Sequence, residues 1–316
     1  MNVLFWLSLL TIFYAYAGYA ILLRLLAGAR SRSYVRSTFT PRVSVVMVVH
    51  NEERNLAAKL ANLAALEYPR ELLQIVVASD GSTDRTNAIL DGAAGQVTAV
   101  VLAEKRGKAA ALNLAVQQAT GEILVFCDAR QEIDLDTLRE LTSCFADPEI
   151  GAVSGELLLV DAKGRATGDA LGIYWRIEKM VRKLESATGS VVGVTGCIYA
   201  LRRELFVDLP EGTILDDVLV PMNAARAGRR VIFLPTAIAR DRIFAQPGRE
   251  FARKVRTLTG NYQLLSLAPW LMTSSNPLLF RFISHKLLRL LAPFLLVVLL
   301  IASALAQGWQ IGRAHV

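Results

Sequence analysis

Residues 3–23 carry no charge, and as a helix they would rise about 30 Å, the thickness of a bilayer's hydrocarbon core. Whatever the rest of the chain does must therefore be compatible with one end in lipid. A cleavable leader would start with basic residues and end in a small-residue cleavage site; here Arg24, Arg30, Arg32, Arg36 and Arg42 follow the apolar run instead. A second apolar run, 290–306, comes after Arg281, His285, Lys286 and Arg289. The positive-inside rule puts the N-terminus outside, the intervening chain in the cytoplasm, and the second run crossing outward. Pro293 is tolerable in such a helix. Residues 261–289 mix Trp270, Phe280 and Phe282 with cations, the pattern of a helix lying in the interface. The expected organisation is a transmembrane helix over 1–27, a cytoplasmic domain over 41–260, an interfacial segment over 261–289 and a transmembrane helix over 290–307. The last six residues, Ile-Gly-Arg-Ala-His-Val at 311–316, match a translated sequencing adapter and are expected to be foreign, with the natural chain continuing into further membrane helices.

Composition fits this division. A hydrophobic fraction of 53% is high for a soluble enzyme. The 35 Lys and Arg exceed the 28 Asp and Glu, but the excess lies beside the apolar runs and no basic stripe interleaves with aromatics. It reads as membrane topology and excludes nucleic acid as a partner. Cys127, Cys144 and Cys197 have neither metal-ligand spacing nor an even-numbered framework, which excludes a disulfide scaffold or a zinc site.

Between the membrane runs, strand and helix patterns alternate. Val43–Val49 is a continuous Val-rich run, as expected of a parallel strand buried on both faces. Asn51 is placed to cap a helix carrying Leu56, Leu60 and Leu63, which stops at Pro69. Strands are expected over 73–78, 97–102 and 122–127, with helices starting at Thr83 and spanning 107–118. Such a series predicts an α/β domain with a mostly parallel sheet and a ligand site beyond the carboxyl ends of its strands.

The polar residues gather at those ends. Asn51 and Glu52 follow the first strand, Asp80 and Asp84 the second, Lys105 and Lys108 the third, Asp128 and Arg130 the fourth. A carboxylate such as Asp80 can accept the ring N–H of a nucleobase, although Asp80-Gly81 also makes a plain turn. Lys105 and Lys108 flank a glycine at a helix start, where free N–H groups and cations suit a diphosphate. Neither Gly-x-Gly-x-x-Gly after the first strand nor Gly-x-x-x-x-Gly-Lys-Ser/Thr occurs, so dinucleotide oxidoreductase and P-loop readings lose their support.

In order, VVHNEE (48–53), SDGSTD (79–84), KRGKAAALN (105–113), FCDAR (126–130), LDD (215–217) and RKVRT (253–257) resemble the elements of family-two glycosyltransferases of the GT-A fold over about residues 43–263. The resemblance implies an inverting membrane glycosyltransferase with a nucleotide-sugar donor, by default a UDP-sugar. Asn51, Glu52, Asp80, Lys105, Lys108, Asp128, Arg130 and Arg253 would bind the donor, Asp128 a divalent cation (Mg2+ or Mn2+), Asp217 would be the general base with Asp216 in support, and Arg256 would take the arginine place of Gln-x-x-Arg-Trp.

Two departures stand out. Arg130 replaces the second acid of Asp-x-Asp, so either Asp128 and the diphosphate still hold the cation, the preferred reading, or Arg130 partly replaces it; Glu132 is a further candidate for the missing acid. Arg253 and Thr257 replace the glutamine and tryptophan, which makes single-sugar addition at least as expected as polymerisation. The acceptor is expected to be a glycan or a lipid-linked sugar of envelope or exported polysaccharide, met at the cytoplasmic face of a cell inner membrane, with other synthesis proteins as possible partners. A polyprenyl-phosphate acceptor, or a catalytically weak partner of a synthase, are the alternatives. Tyr174, Trp175 and Tyr199 could stack on a sugar, though aromatics at such spacings more often serve a core.

Overall fold

The computed structural model describes residues 2–161, 172–242 and 247–313. Residues 314–316 of the expected foreign tail lie outside the described residues. Helices α1 (Asn2–Phe13) and α2 (Tyr19–Ala29) form one apolar rod with a widened turn at Tyr14–Gly18. Four strands follow at the predicted places: β1 (Val43–Val49), β2 (Leu73–Asp80), β3 (Thr98–Leu102) and β4 (Ile123–Cys127). They run parallel, with Val43 level with Leu73 on one side and Ile123 on the other. Their carboxyl ends therefore finish along one edge, as the alternation required.

The second half of the sheet is of a different kind. It adds β5 (Glu132–Ile133), β6 (Ile150–Val160), β7 (Ile198–Arg202) and β8 (Arg230–Arg242) in the overall order β3-β2-β1-β4-β7-β6-β8-β5. β7 is antiparallel to both β4 and β6, while β6 and β8 pair in parallel.

Alternate residues of each central strand face opposite layers. Val45, Val77 and Val125 pack under α3 (Leu56–Ala64), α4 (Thr86–Gly92) and α6 (Thr137–Ser143). Val46, Val76 and Leu124 pack under α5 (Lys108–Gln117) and α8 (Asp216–Arg226), joined by Leu264. Both faces are buried, which is why these strands are runs of Val and Ile without polar alternation.

The remaining helices link this domain to the apolar rod. α7 (Gly172–Thr188) packs on α2 through Val181, Tyr19 and Leu23. α9 (Pro247–Leu267), α10 (Leu279–Phe282) and α11 (Leu288–Arg313) complete the chain, and α1 lies along α11. Two continuous stretches, Asn2–Ala29 and Leu279–Leu305, are long and apolar enough to cross a membrane. Pro293 sits inside α11 without breaking it. The boundary expected at residue 260 falls inside α9, and 261–289 is shared between the end of α9, a turn at Pro269–Met272 and the start of the second apolar stretch.

Two local expectations are corrected. Asn51 does not cap α3; Asn55 precedes that helix, and Asn51 adopts φ 55° instead. α4 begins at Thr86, three residues late, because Asp84 Oδ1 accepts the Thr86 N–H at 2.9 Å and holds the loop open until there.

Candidate functional site

Three loops at the carboxyl edge are tied to one another by side chains. Asn51 Oδ1 accepts the Thr83 N–H at 2.8 Å, and its own N–H donates to Ser82 Oγ at 3.1 Å. Its left-handed backbone, tolerated by Asn better than by most residues, aims the amide across to the second loop. Glu52 N–H donates to Thr86 Oγ1 at 2.8 Å, and its carboxylate accepts from Asn55 at 2.7 Å. Asp80 is buried, and its carboxylate accepts the N–H groups of Arg106 at 2.7 Å and Gly107 at 2.9 Å. Gly81 permits this approach: a Cβ there would sit 2.3 Å from the Lys105 nitrogen. Lys105 is exposed on the loop so held.

Beside these loops, a cleft of about 280 Å³ is lined by Lys108, Asp128, Arg130, Asp216, Asp217, Arg253 and Arg256. Residues that lie up to 148 positions apart in sequence (108 to 256) thus share one space. Asn51, Glu52, Asp80 and Lys105 are not among its lining residues and stand on the neighbouring loops. The placement follows from the topology: Asp128 leaves β4, the two acids open α8, and both arginines lie along one side of α9. α9 is pinned there by Gln263, whose Oε1 accepts the Ile214 N–H at 3.0 Å and whose Nε2 donates to Gly212 at 2.8 Å.

Charge in the cleft is arranged around Lys108. Its ammonium lies 3.2 Å from Asp216 and 3.6 Å from Asp128. Burial alone would pull its pKa down, but Asp216, Asp128 and Asp217 together hold it above the ordinary lysine value. Asp217 is left without that pairing. Burial first, then the neighbouring Asp216 carboxylate, push it up to about 6, while Lys286 and Lys108 pull the other way. Gly196 faces it closely, since a Cβ there would sit 3.2 Å from Asp217 Oδ2.

Arg130 does not project freely into the space of a missing acid. Its guanidinium is ion-paired with Asp241 on β8, a buried carboxylate that sequence reasoning missed. Glu132 is exposed and lines not the cleft but an adjoining cavity, with Asn55 and Lys59, that shares Arg130, Gln131 and Asp241 with it. Cys197 borders the cleft, but burial pushes its thiol up to about 12, so it is not a nucleophile.

Asp217 also opens onto a second cavity of about 310 Å³, on the side of the apolar helices, lined by Trp175, Glu178, Arg182 and Lys286 among others. Most of its charged groups pair with one another. Arg289 bonds Glu178 at 2.5 Å, His285 bridges Glu178 and Glu185 at 3.0 and 2.9 Å, and Lys179 pairs with Glu156. Burial opposes ionisation of Glu178, but its bonds to His285 and Arg289 outweigh that and hold its carboxyl well below the usual range. Arg281 caps the end of α7 by donating to Glu185, Thr188 and Ser190 carbonyls at 2.6–2.9 Å. Tyr199 is fully buried and stacked on Phe126 at 4.6 Å, so it belongs to the core. The side chain of Tyr174 lies outside the described residues.

Residues 44–209 match the family model described as glycosyl transferase family 2. Over 234 residues the chain is 25% identical to poly-beta-1,6-N-acetyl-D-glucosamine synthase of Staphylococcus aureus (strain COL), a match covering 71% of this chain and 55% of that protein. Over 221 residues it is 30% identical to the N-acetylglucosaminyltransferase of Azorhizobium caulinodans, covering 64% and 55%. The chain thus spans about half the length of the curated relatives it matches. Among solved structures, mannosyltransferase PcManGT from Pyrobaculum calidifontis in complex with GDP-Man and Mn2+ is similar with a TM-score of 0.74 and 25% identity, over 96% of this chain and 87% of that one. The S. aureus TarS 1–349 complex with UDP-GlcNAc shares the fold at a TM-score of 0.52 and 18% identity, over 72% and 67%.

Proposed function

The chain belongs to glycosyl transferase family 2 and is a glycosyltransferase of GT-A fold, and we propose that it transfers one sugar from a nucleotide-sugar to a hydroxyl of a glycan or lipid-linked acceptor, with inversion. The observation that carries this is the position of Asp217 between the two cavities. The donor occupies the cleft with Lys108, Arg253 and Arg256 around its diphosphate and its base toward Asp80. Uracil is the default base, and guanine also offers a ring N–H. The acceptor enters the second cavity beside the apolar helices. Both helices span the membrane, with the cations after 23 and before 290 on the cytoplasmic side.

In this arrangement Asp217 accepts the proton of the acceptor hydroxyl as it attacks the anomeric carbon. A carboxyl raised to about 6 is a better base near neutral pH than an ordinary one and is still ionised there. Asp216 and Asp128 hold the Lys108 ammonium, which with the arginines faces the charge developing on the leaving diphosphate. Asp128, half-buried at the mouth of the cleft, offers the oxygen ligand that suits a hard divalent cation, Mg2+ or Mn2+. Such a cation, when bound, would neutralise the diphosphate as it leaves.

The test is a donor screen with detergent-solubilised protein across UDP- and GDP-sugars, following donor consumption with and without lipid-linked and oligosaccharide acceptors. Turnover with one donor, lost on Asp217→Asn, is expected. Turnover that survives Asp217→Asn would refute the base assignment, and turnover undiminished in excess chelator would refute the cation.

A further inference from the structure

The second acid of Asp-x-Asp is absent from its place in this chain, and the identity of its replacement rests on the proposed reading of the cleft as a donor site with a divalent cation. Arg130, which stands in that place, holds Asp241 by an ion pair across from β8. Asp241 has a side chain only 5% exposed. Its Oδ2 accepts from Arg130 and, at 3.0 Å, from Gln131 Nε2. Its Oδ1 has no hydrogen-bond partner among the described residues, and neither does Gln131 Oε1. The Gln131 amide cannot be turned to hide its oxygen, because its nitrogen is the end that bonds the carboxylate. A buried acceptor left unpaired is destabilising. Two of them lie on hydrogen-bonded neighbours in the wall of the cleft.

Asp128, Gln131 and Asp241 line the same cleft. Two carboxylates and an amide carbonyl form an all-oxygen donor set, the kind that binds Mg2+ or Mn2+ alongside phosphate oxygens and water. Arg130 cannot be the cation's substitute while its charge is matched by Asp241. We propose that Asp241, held in place by Arg130 and Gln131, supplies the carboxylate that Arg130 displaced, so that the donor's divalent cation is held between Asp128 and Asp241. Arg130 is then a positioning residue, and the acid has moved from the end of β4 to the far end of β8. The alternation of β8 puts it there: Ala237, Ala239 and Asp241 are its buried residues at that end, and the last of the three is the carboxylate.

The experiment measures Mn2+ binding to the purified full chain by electron paramagnetic resonance, with UDP and with GDP, alongside nucleotide binding without metal and thermal unfolding. Asp241→Asn is expected to weaken Mn2+ by about tenfold or more and to leave metal-free nucleotide binding unchanged. The charge swap Arg130→Asp with Asp241→Arg is expected to recover most of the loss, since it returns an acid to the Asp-x-Asp place. Should Asp241→Asn not fold, the neutral pair Arg130→Leu with Asp241→Leu leaves no charge unmatched and is expected to show the same loss. Wild-type Mn2+ binding that Asp241→Asn or the neutral pair leaves intact would overturn the role of Asp241 alone. A wild-type chain that binds no Mn2+ with either nucleotide overturns the cation of the proposed function, and the role of Asp241 with it.

Discussion

The two cavities that meet at Asp217 are built on opposite electrostatic plans. In the cleft around Lys108, that cation bridges Asp128 and Asp216 while Arg130 pairs with Asp241 alone, so each of these ion pairs opens onto the cleft. In the second cavity the charges are already closed into a chain, Arg289–Glu178–His285–Glu185, with Tyr19 donating to Glu185 at 2.7 Å. On the proposed reading the cleft takes the charged ligand, while the cavity's chain of charges ties the second apolar stretch to α7. One site receives charge and the other supplies shape.

The largest effect should come from the residue both share. Asp217→Asn is expected to lower kcat by about 10³-fold while donor binding, followed by fluorescence or calorimetry, stays within about twofold; equal loss in both would break the division between donor and acceptor sides. Its raised pKa carries a second consequence. Between its ordinary 3.8 and about 6 the native state binds the extra proton, so stability falls as pH rises through that window. Above it, Asp217→Asn should therefore be more stable than wild type by roughly 3 kcal/mol, read as a higher melting temperature.

Arg256→Ala comes next, with kcat down about 10²-fold. It tests whether the open side acts on the leaving group, and a change confined to KM would limit Arg256 to ground-state binding. On the closed side, Glu178→Gln breaks the charge chain and is expected to destabilise the fold by roughly 3 kcal/mol, read as a lower melting temperature with turnover per folded molecule retained. A melting temperature unchanged by Glu178→Gln would deny the cavity its fastening role.

A smaller effect would show that the two sides communicate. Lys286 pulls the Asp217 carboxyl down, so Lys286→Met should move the acid limb of the kcat/KM profile to higher pH, by less than about one unit. An unmoved limb would separate the membrane-side cation from the base. Smallest of all is Arg32→Ala, whose bridge to Glu149 joins side chains 55% and 59% exposed; it should change the melting temperature by less than one degree, under about 0.5 kcal/mol.

How much could be read in the sequence depends on how each part is stabilised. β1, β2 and β4 are buried on both faces, and such strands declare themselves as Val-rich runs with polar loops behind them. The acids at 216–217 and the arginines at 253 and 256 were visible through the resemblance, and one cleft gathers them. The antiparallel insertion of β7 between β4 and β6 was not visible, because Val125 pairs with Ala200 across 75 positions with no local signal. Asp241 was missed for a similar reason: its partner Arg130 lies 111 residues away. A carboxylate on the buried phase of an alternating strand was the available clue. Asn51 was misread as a helix cap because its real partners, Thr83 and Ser82, sit on the next loop and the sequence does not show that the two loops touch.

Arg281 belongs to the second apolar stretch, yet it closes the last turn of α7, whose other residues line the cavity at Asp217. With that stretch spanning a bilayer as proposed, the end of α7 is finished by a residue whose height the lipid would set. Thinner or looser surroundings that let this stretch tilt would draw the arginine away and fray α7 by a turn. Bilayer thickness would then act on the acceptor side while leaving the donor loops untouched, making the membrane a setting of the enzyme's reach as well as its support.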